Sequence, residues 1–302
     1  MKYLSEILCP LCDSNDYEII FESTLQKKDY SPKVLQLHLK NSLDDFTKHG
    51  RIVRCKGCLL VYVNPQEDQK QILKAYGNVV DEEYLKTERF RKLLFKKHLN
   101  QLLKFRTSGS LLDIGCFCGF FLELAQKKRF KAYGIEPSLW ASNEAKRRRV
   151  RIIGKSLNEI KKQKFDVITL FDVIEHLGNP KKELSRIHRA LVKDGIVVIG
   201  TPNVESFTVK LLGSHHPFFI RMHVVLFGER TITRILESTG FAIKQITYYG
   251  RTYPLVYYME KLNPLLPFSN NLIKLINLFP ALAQLPITIN FKDELLVIAQ
   301  KI

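Results

Sequence analysis

The sequence predicts an α/β fold in which a doubly wound sheet of about seven strands follows a small cysteine-rich module. Two observations predict the sheet. Five short apolar runs (SLLDIG, KAYGIE, VRIIG, FDVITLF and GIVVIGT) alternate with helical stretches, which is the order of parallel strands joined by crossover helices. A glycine-bearing turn, LLDIGCFCGFF at Leu111–Phe121, follows the first of these strands and enters a helix.

Composition indicates a globular chain. The 302 residues are 45% hydrophobic and 25% charged, which suits one large domain and one small domain. No secretory signal follows Met1, and no apolar run reaches the roughly 18 residues that cross a bilayer, so we expect a cytoplasmic protein. The net charge of +17 is compatible with nucleic acid, an anionic membrane surface or phosphorylated substrates, and equally with a well-solvated surface.

Two CxxC pairs lie near the start of the chain. Cys9 and Cys12 form the first pair, and Cys55 and Cys58 form the second after a long gap. Two such knuckles can place four thiolates tetrahedrally around Zn²⁺, and a small domain gains much of its stability from the metal. We therefore predict a zinc-knuckle module over residues 1–65.

The rest of the chain divides into a linker and a large domain. Residues 66–108 are predicted to be a charged helical linker, because leucine and phenylalanine recur at helical spacing in RFRKLLFKKHLNQLLKF. Residues 109–302 form the α/β domain, in which FAIKQITYYG and DELLVIAQKI predict two further strands. An apolar, proline-broken insertion at residues 252–290 separates them. Three roles for this insertion stay open: a lid over the active site, an oligomer interface, or a surface that contacts a membrane peripherally.

The glycine-bearing turn is a predicted ligand site. Gly115 and Gly119 let the backbone approach a ligand, and the helix start offers unpaired N–H groups. A dinucleotide turn carries three glycines, whereas Phe117 takes the middle position here. That pattern favours a ligand presenting an amino-acid carboxylate and amine. Glu136 lies about 20 residues beyond the turn, where a carboxylate can accept hydrogen bonds from both ribose hydroxyls.

Four stretches resemble a known family: LLDIGCFCGFF, YGIEPS, FDVITLFDVIEHL and GIVVIGTPN. Together they resemble the class I S-adenosylmethionine-dependent methyltransferases, which have a Rossmann-like fold. The resemblance is greatest to the subgroup with DVIEHL and TPN in these places. The resemblance covers residues from Ser110 to the C-terminus. It implies that the turn holds the methionine part of S-adenosylmethionine and that Glu136 holds its ribose. The predicted cofactor-binding residues are Asp113, Gly115, Cys116, Gly119, Glu136 and Phe171. CPLC and CKGCLLVYVNP also resemble the zinc-knuckle module that precedes such domains in glycan-related methyltransferases.

The catalytic prediction concerns the end of the fourth strand. In a helical turn the side chains of Asp172, Glu175 and His176 share one face, close to the transferable methyl group. With His223 they form a set of four ligands for Mg²⁺ or another divalent metal. The arrangement is similar to that of the small-RNA 3′-terminal 2′-O-methyltransferases and the ubiquinone-pathway O-methyltransferases. The predicted catalytic residues are His176, His223 and Asp172: a metal would lower the pKa of an acceptor hydroxyl, and without one either histidine is a general base. The alternative that Glu175 and His176 only shape the cofactor pocket, with His223 structural, stays open.

These features predict a methyltransferase whose acceptor is a hydroxyl of a small molecule, a sugar or a lipid-linked glycan, a substrate class that rests on the resemblance alone. Two other functions stay open. The charge and the acid–histidine constellation favour an RNA 2′-O-methyltransferase that uses the metal site. The basic run from Lys146 to Lys164 could bind RNA or an anionic lipid head, but no aromatic residue for base stacking is interleaved in it, which favours a solvated helix face. The other alternative is a non-enzymatic scaffold that binds the cofactor.

Overall fold

The structure, a computed structural model, describes residues 4–31, 34–35, 48–160, 163–262 and 269–302. Lys161 and Lys162 of the basic run, and residues 263–268 of the insertion, lie outside the described residues. The strands are β1 (Leu4–Ser5), β2 (Tyr17–Phe21), β3 (Ile52–Cys55), β4 (Val61–Val63), β5 (Gln66–Glu67), β6 (Gly109–Ile114), β7 (Phe130–Ile135), β8 (Arg151–Gly154), β9 (Phe165–Phe171), β10 (Leu191–Pro202), β11 (Val225–Leu226), β12 (Phe241–Pro254) and β13 (Pro286–Lys301).

The helices connect and cover these strands. The α-helices are α1 (Gln69–Tyr76), α2 (Glu82–Lys86), α3 (Glu88–Leu102), α4 (Phe120–Gln126), α5 (Leu139–Arg147), α6 (Pro180–Ala190), α7 (Phe207–Leu212), α8 (Glu229–Glu237), α9 (Leu255–Leu262), α10 (Ser269–Asn277) and α11 (Pro280–Ala283). Short 3₁₀ turns lie at Lys27–Tyr30, Leu157–Glu159, Ile174–His176 and Gly213–His215. No helix in the part of the chain that the structure describes is both long and apolar enough to cross a membrane.

Seven strands form the central sheet in the order β12-β13-β10-β9-β6-β7-β8. The strands from β10 to β8 in this order pair in parallel, and β13 runs antiparallel to both β10 and β12. The predicted Rossmann-like sheet of about seven strands is confirmed. The chain builds outward from β6 through β7 to β8, then crosses to β9 and β10 on the other side. This reversal leaves a crevice outside the carboxyl ends of β6 and β9, where ligands bind in such sheets.

The cysteine-rich module shares its sheet with the large domain. Strands β2, β3 and β4 are antiparallel, and β11 adds to the edge of β4, with Val225 opposite Tyr62. The apolar cluster that contains Cys9 and Cys55 continues through Val225 into the central sheet. The sheet of the module therefore takes its fourth strand from far beyond residue 65.

The linker packs against the sheet, and the insertion extends from its antiparallel edge. Helix α3 buries Leu99 and Leu102 and places Phe95 against Phe121 of α4, with ring centroids 5.8 Å apart. The insertion begins and ends as strand, because β12 and β13 stay paired as far as Pro254 opposite Pro286. Helices α9, α10 and α11 follow from the end of this hairpin and pack on one another.

Candidate functional site

A cavity of about 2330 Å³ opens at the carboxyl ends of β6 and β9. Its wall runs from the glycine-bearing turn past His176 and His223 to Cys9 in the module and to Tyr257 in the insertion. Pockets for a single small ligand usually measure about 300–1,000 Å³. The space therefore suffices for a cofactor and a second, bulky molecule.

The turn after β6 needs glycine where it bends. Gly115 has φ +70°, and a Cβ there would lie 2.7 Å from Cγ2 of Val173. Gly119 has φ +76° and starts α4, where a Cβ would meet Cγ2 of Val150 at 3.0 Å. Gly115 and Cys116 line the cavity, whereas Gly119 lies behind the turn. Each predicted glycine thus has a backbone or packing reason, and only Gly115 faces the ligand space.

Phe117 takes a left-handed conformation with φ +45°, which is uncommon for a side chain of this size. Its ring packs edge-on against Tyr84, with centroids 4.4 Å apart, and lies 5.8 Å from the ring of Trp140. Arg91 of α3 lies 3.8 Å above the Tyr84 ring. Aromatic packing from the linker therefore stabilises the turn at the position where a glycine was expected.

Asp113, next to the last residue of β6, lies in the cavity wall. Its Oδ1 accepts a hydrogen bond of 2.6 Å from the Thr169 hydroxyl of the neighbouring strand. Burial raises the pKa of Asp113 to about 7, although the bond from Thr169 opposes that rise. A cation in the crevice, such as an amine or a sulfonium, would favour the carboxylate form.

Glu136 is 1% exposed and does not line the cavity. One carboxylate oxygen accepts from the backbone N–H of Phe117 at 2.8 Å, and the other accepts from that of Ser138 at 2.7 Å. Burial raises the pKa of Glu136 to about 7. The residue predicted to hold the ribose thus ties the turn to the start of α5, and each oxygen keeps one further lone pair for a hydroxyl.

Asp172 does not join the predicted set of metal ligands. It has φ +54°, and the turn that follows is a 3₁₀ helix beginning at Ile174, so the α-helical face argument does not hold here. Its Oδ1 accepts from Nη2 of Arg251 at 2.9 Å, while Nε of Arg251 donates to Glu294 at 2.6 Å. Burial alone would raise the pKa of Asp172, but nearby positive charges, that of Arg251 first and that of Arg91 next, contribute to a combined effect that lowers that pKa. The carboxylate is therefore an ionised partner of Arg251 at the edge of the cavity.

His176 and His223 do come together, with ring centroids 4.9 Å apart. Nδ1 of His176 lies 2.9 Å from the carbonyl of Met222, and Nδ1 of His223 lies 2.8 Å from that of Phe218. A carbonyl only accepts, so each ring carries its proton on Nδ1 and its lone pair on Nε2. Burial lowers the pKa of His176 and lowers that of His223 to about 3. Both imidazoles are therefore neutral and able to bind a cation.

Glu175 completes this cluster. It is 1% exposed, and ligand atoms of Glu175, His176 and His223 all lie within 4.8 Å of one another. Thr201 donates to Oε2 at 3.0 Å, but Oε1 is buried without a hydrogen-bond partner among the described residues. An unpartnered buried carboxylate oxygen is costly unless a cation or another donor reaches it. The three residues therefore fit a divalent metal ion.

The four cysteines of the module also form a compact group. The sulfur atoms of Cys9 and Cys58 lie 3.4 Å apart, those of Cys12 and Cys55 lie 3.5 Å apart, and all four fall within 4.8 Å. Tetrahedral zinc with bonds of about 2.3 Å separates its sulfurs by about 3.8 Å, so the thiols fit that ion. Burial raises the pKa of Cys9 to about 11, a rise that a bound cation would reverse.

Several residues at the site were not predicted from the sequence. Tyr84 and Arg91 come from the linker, and Arg251 and Glu294 come from the two long strands. No motif marks these positions, and Tyr84 and Arg251 contact Phe117 and Asp172, which are far away in the sequence. The one available signal was Arg251, a charge within the aromatic run that ends β12.

Comparison with known proteins identifies the chemistry. A family model described as a methyltransferase domain matches residues 86–246, more than half of the chain. The chain belongs to this methyltransferase family. It is a class I S-adenosylmethionine-dependent methyltransferase, and the predicted enzyme class is confirmed. The predicted cofactor, S-adenosylmethionine, is supported in the same way.

Individual relatives are distant. The chain is 27% identical over 157 residues to a protein of Mycolicibacterium smegmatis described as a probable S-adenosylmethionine-dependent methyltransferase. The matched region is 50% of this chain and 60% of the relative. It is 29% identical over 140 residues to an uncharacterized protein of Methanocaldococcus jannaschii, a match that spans 44% of this chain and 66% of that protein. The chain thus spans less than two thirds of these curated relatives. The crystal structure of an S-adenosylmethionine-dependent methyltransferase from Archaeoglobus fulgidus, 22% identical, covers 73% of this chain and 100% of its own with a TM-score of 0.51, which supports the fold.

Proposed function

We propose that this methyltransferase transfers a methyl group to a hydroxyl oxygen of a bulky acceptor, a sugar or a lipid-linked glycan. The observation that carries the proposal is the single cavity that joins the cofactor turn, the His176–His223 pair and the cysteine module. A cofactor at Gly115 and Cys116 leaves most of this space for the acceptor. The imidazole pair lies between the two ends, where an acceptor hydroxyl can approach the methyl group.

We further propose that Cys9, Cys12, Cys55 and Cys58 hold a structural Zn²⁺ as a zinc-knuckle module. The sulfur spacing supports the proposal, as do the matching turns after each pair. Asp13 has φ +60° and Leu59 has φ +67°. The N–H of each donates to the carbonyl of the first cysteine in its pair. Two equivalent turns that point four thiols at one centre are typical of zinc knuckles.

Glu175, His176 and His223 are proposed to hold a second, divalent ion. Two imidazoles with one carboxylate suit Zn²⁺ or Fe²⁺ better than Mg²⁺, which prefers an all-oxygen shell. An ion there would lower the pKa of an acceptor hydroxyl near the methyl group. The bonds to Met222 and Phe218 keep both rings oriented.

Asp172 and Arg251 have a separate role in this proposal. Their ion pair lies on the cavity wall beside the histidines, and Glu294 holds Arg251 from the far side. A fixed guanidinium and carboxylate can bind the polar groups of an acceptor and orient it for in-line attack on the methyl carbon. We expect this pair to determine acceptor orientation.

The experiment is metal analysis of purified protein combined with transfer of labelled methyl groups to a panel of sugars, lipid-linked glycans and RNA oligonucleotides. We expect His223→Ala to retain the cysteine-bound zinc, to lose the second metal, and to lower methyl transfer by about 100-fold or more. His215→Ala is the matched control, because His215 is exposed and does not line the cavity.

Three results would count against the proposal. If His223→Ala keeps the same metal content and rate as the wild type, neither a metal nor an essential imidazole acts there. If RNA accepts methyl groups and sugars do not, the acceptor class is wrong. Binding of S-adenosylmethionine without transfer to any member of the panel would favour a scaffold.

A further inference from the structure

The outer surface of the insertion is apolar. Six large side chains on α10, on α11 and beside them are exposed between 44% and 72%: Leu272, Leu275, Leu278, Phe279, Leu282 and Leu285. We refer to these six residues as the apolar ridge. Single exposed leucines are ordinary, but six within fourteen residues form a surface that usually binds a partner or a membrane.

Packing within the protein does not account for the ridge. Ile276 and Ala283 form the inner side of the same segment and are 7% and 4% exposed. The helices therefore already have an apolar inner face, and the ridge is a second face that points outward. A helix that is apolar on both sides is normally buried on both sides.

The ridge lies between β12 and β13, and both of these strands contribute residues to the wall of the cavity. Phe291, 58% exposed, lies in the first half of β13 and lines the cavity. Leu212 of α7, 47% exposed, also lines it, and α7 packs against β13. Exposed apolar side chains thus lie both on the insertion and at the rim of the cavity.

Charge distinguishes a lipid surface from a second copy of the chain. Between Glu260 and Asp293 the sequence contains no acidic residue, and its charges are Lys261, Lys274 and Lys292. Lys274 is exposed within the ridge. The whole chain carries +17, so pairing two copies through the ridge brings like charges together, whereas an anionic bilayer complements them.

We propose that the apolar ridge docks this protein on an anionic lipid bilayer. The leucine and phenylalanine side chains enter the boundary between headgroups and acyl chains, and the lysines bind the anionic headgroups. Docking depends on the ridge and the neighbouring lysines and requires neither cofactor nor acceptor. Its test is therefore separate from that of methyl transfer.

The first experiment is co-sedimentation of the full chain with phosphatidylcholine vesicles, with and without phosphatidylglycerol. We expect binding that depends on phosphatidylglycerol and weakens as salt is added. The variant Leu275→Asn/Leu278→Asn/Phe279→Asn should bind at least about tenfold more weakly. The control Ile19→Asn/Ile302→Asn removes two exposed apolar side chains elsewhere and should bind as the wild type does.

A second experiment does not depend on the triple variant being folded. The chain has one tryptophan, so Phe279→Trp in a Trp140→Phe background creates a single reporter in the ridge. We expect its emission to shift to the blue with anionic vesicles and to be quenched by brominated lipid. An unshifted reporter, or equal vesicle binding by the triple variant and the wild type, would overturn the proposal. The proposal would also be overturned if the wild type bound no vesicles and instead formed a dimer that the triple variant did not form.

Discussion

At the cofactor turn, one carboxylate determines the course of the backbone. Glu136 accepts hydrogen bonds from the N–H groups of Phe117 and Ser138, so it fixes a left-handed turn. The ribose contact that the sequence predicts for Glu136 stays a prediction and would be its second role. Asp113, one strand away, is held by Thr169 in the same way. The acidic positions of the motif thus have structural roles that their spacing alone did not reveal.

This dual role gives a prediction at the scale of one residue. Glu136→Gln should weaken S-adenosylmethionine binding by about tenfold to 100-fold, because hydrogen bonds to a charged group each contribute about 1.5–3 kcal/mol. Calorimetric titration measures the change. Glu237→Gln, at an exposed carboxylate that does not line the cavity, serves as the control and should bind normally. A Glu136→Gln variant that unfolds at the wild-type temperature and binds with unchanged affinity would show that Glu136 does not hold the cofactor.

Among elements, helix α6 shows how a local signal fixes a boundary. Asn179 precedes Pro180, and its Oδ1 accepts from the N–H of Lys182 at 2.9 Å. Leu184 and Ile187 form the buried stripe of the helix. The cap, the proline and the apolar spacing all act within one turn or two, and the helix begins where these residues place it.

The cap can be tested directly. Asn179→Ala should lower the free energy of unfolding by about 1 kcal/mol, because one N–H of the first turn loses its acceptor. Thermal or denaturant unfolding measures the loss. Asn179→Asp keeps the acceptor and adds a charge that favours a helix N-terminus, so it should be as stable as the wild type. Equal destabilisation by both substitutions would show that the cap is not the cause.

Across the whole molecule, contacts connect the cysteine module to the cluster of Glu175, His176 and His223. Strand β11 joins the module sheet through β4, and the N–H of Val224 beside it donates to the carbonyl of Glu175. Arg221, 4% exposed, makes two bonds of 2.7 Å to Glu67. These contacts position the segment that carries His223, so disorder in the module would reach the site.

On the proposal that the module holds zinc, loss of that metal should affect both stability and activity. We expect Cys55→Ser to lose the zinc, to lower the melting temperature by about 5 °C or more, and to reduce methyl transfer in parallel. Metal analysis, calorimetry and the transfer assay measure the three effects. Cys118→Ala, outside the cluster, should retain the zinc. Retained zinc in Cys55→Ser, or full activity without zinc, would contradict the coupling.

What the sequence by itself determined is the local part of this protein. The alternation of strands and helices, the glycines at positive φ and the matched CxxC pairs depend on neighbours a few residues away, so a pattern can predict them. Asp172 marks the limit, because a left-handed residue and a 3₁₀ turn replaced the helical face that its spacing suggested. Its partner Arg251 is 79 residues away, and only the folded sheet brings the two together. Tertiary structure likewise decided that β11 ties the module to the site, since long-range strand pairing leaves no periodic signal in the chain.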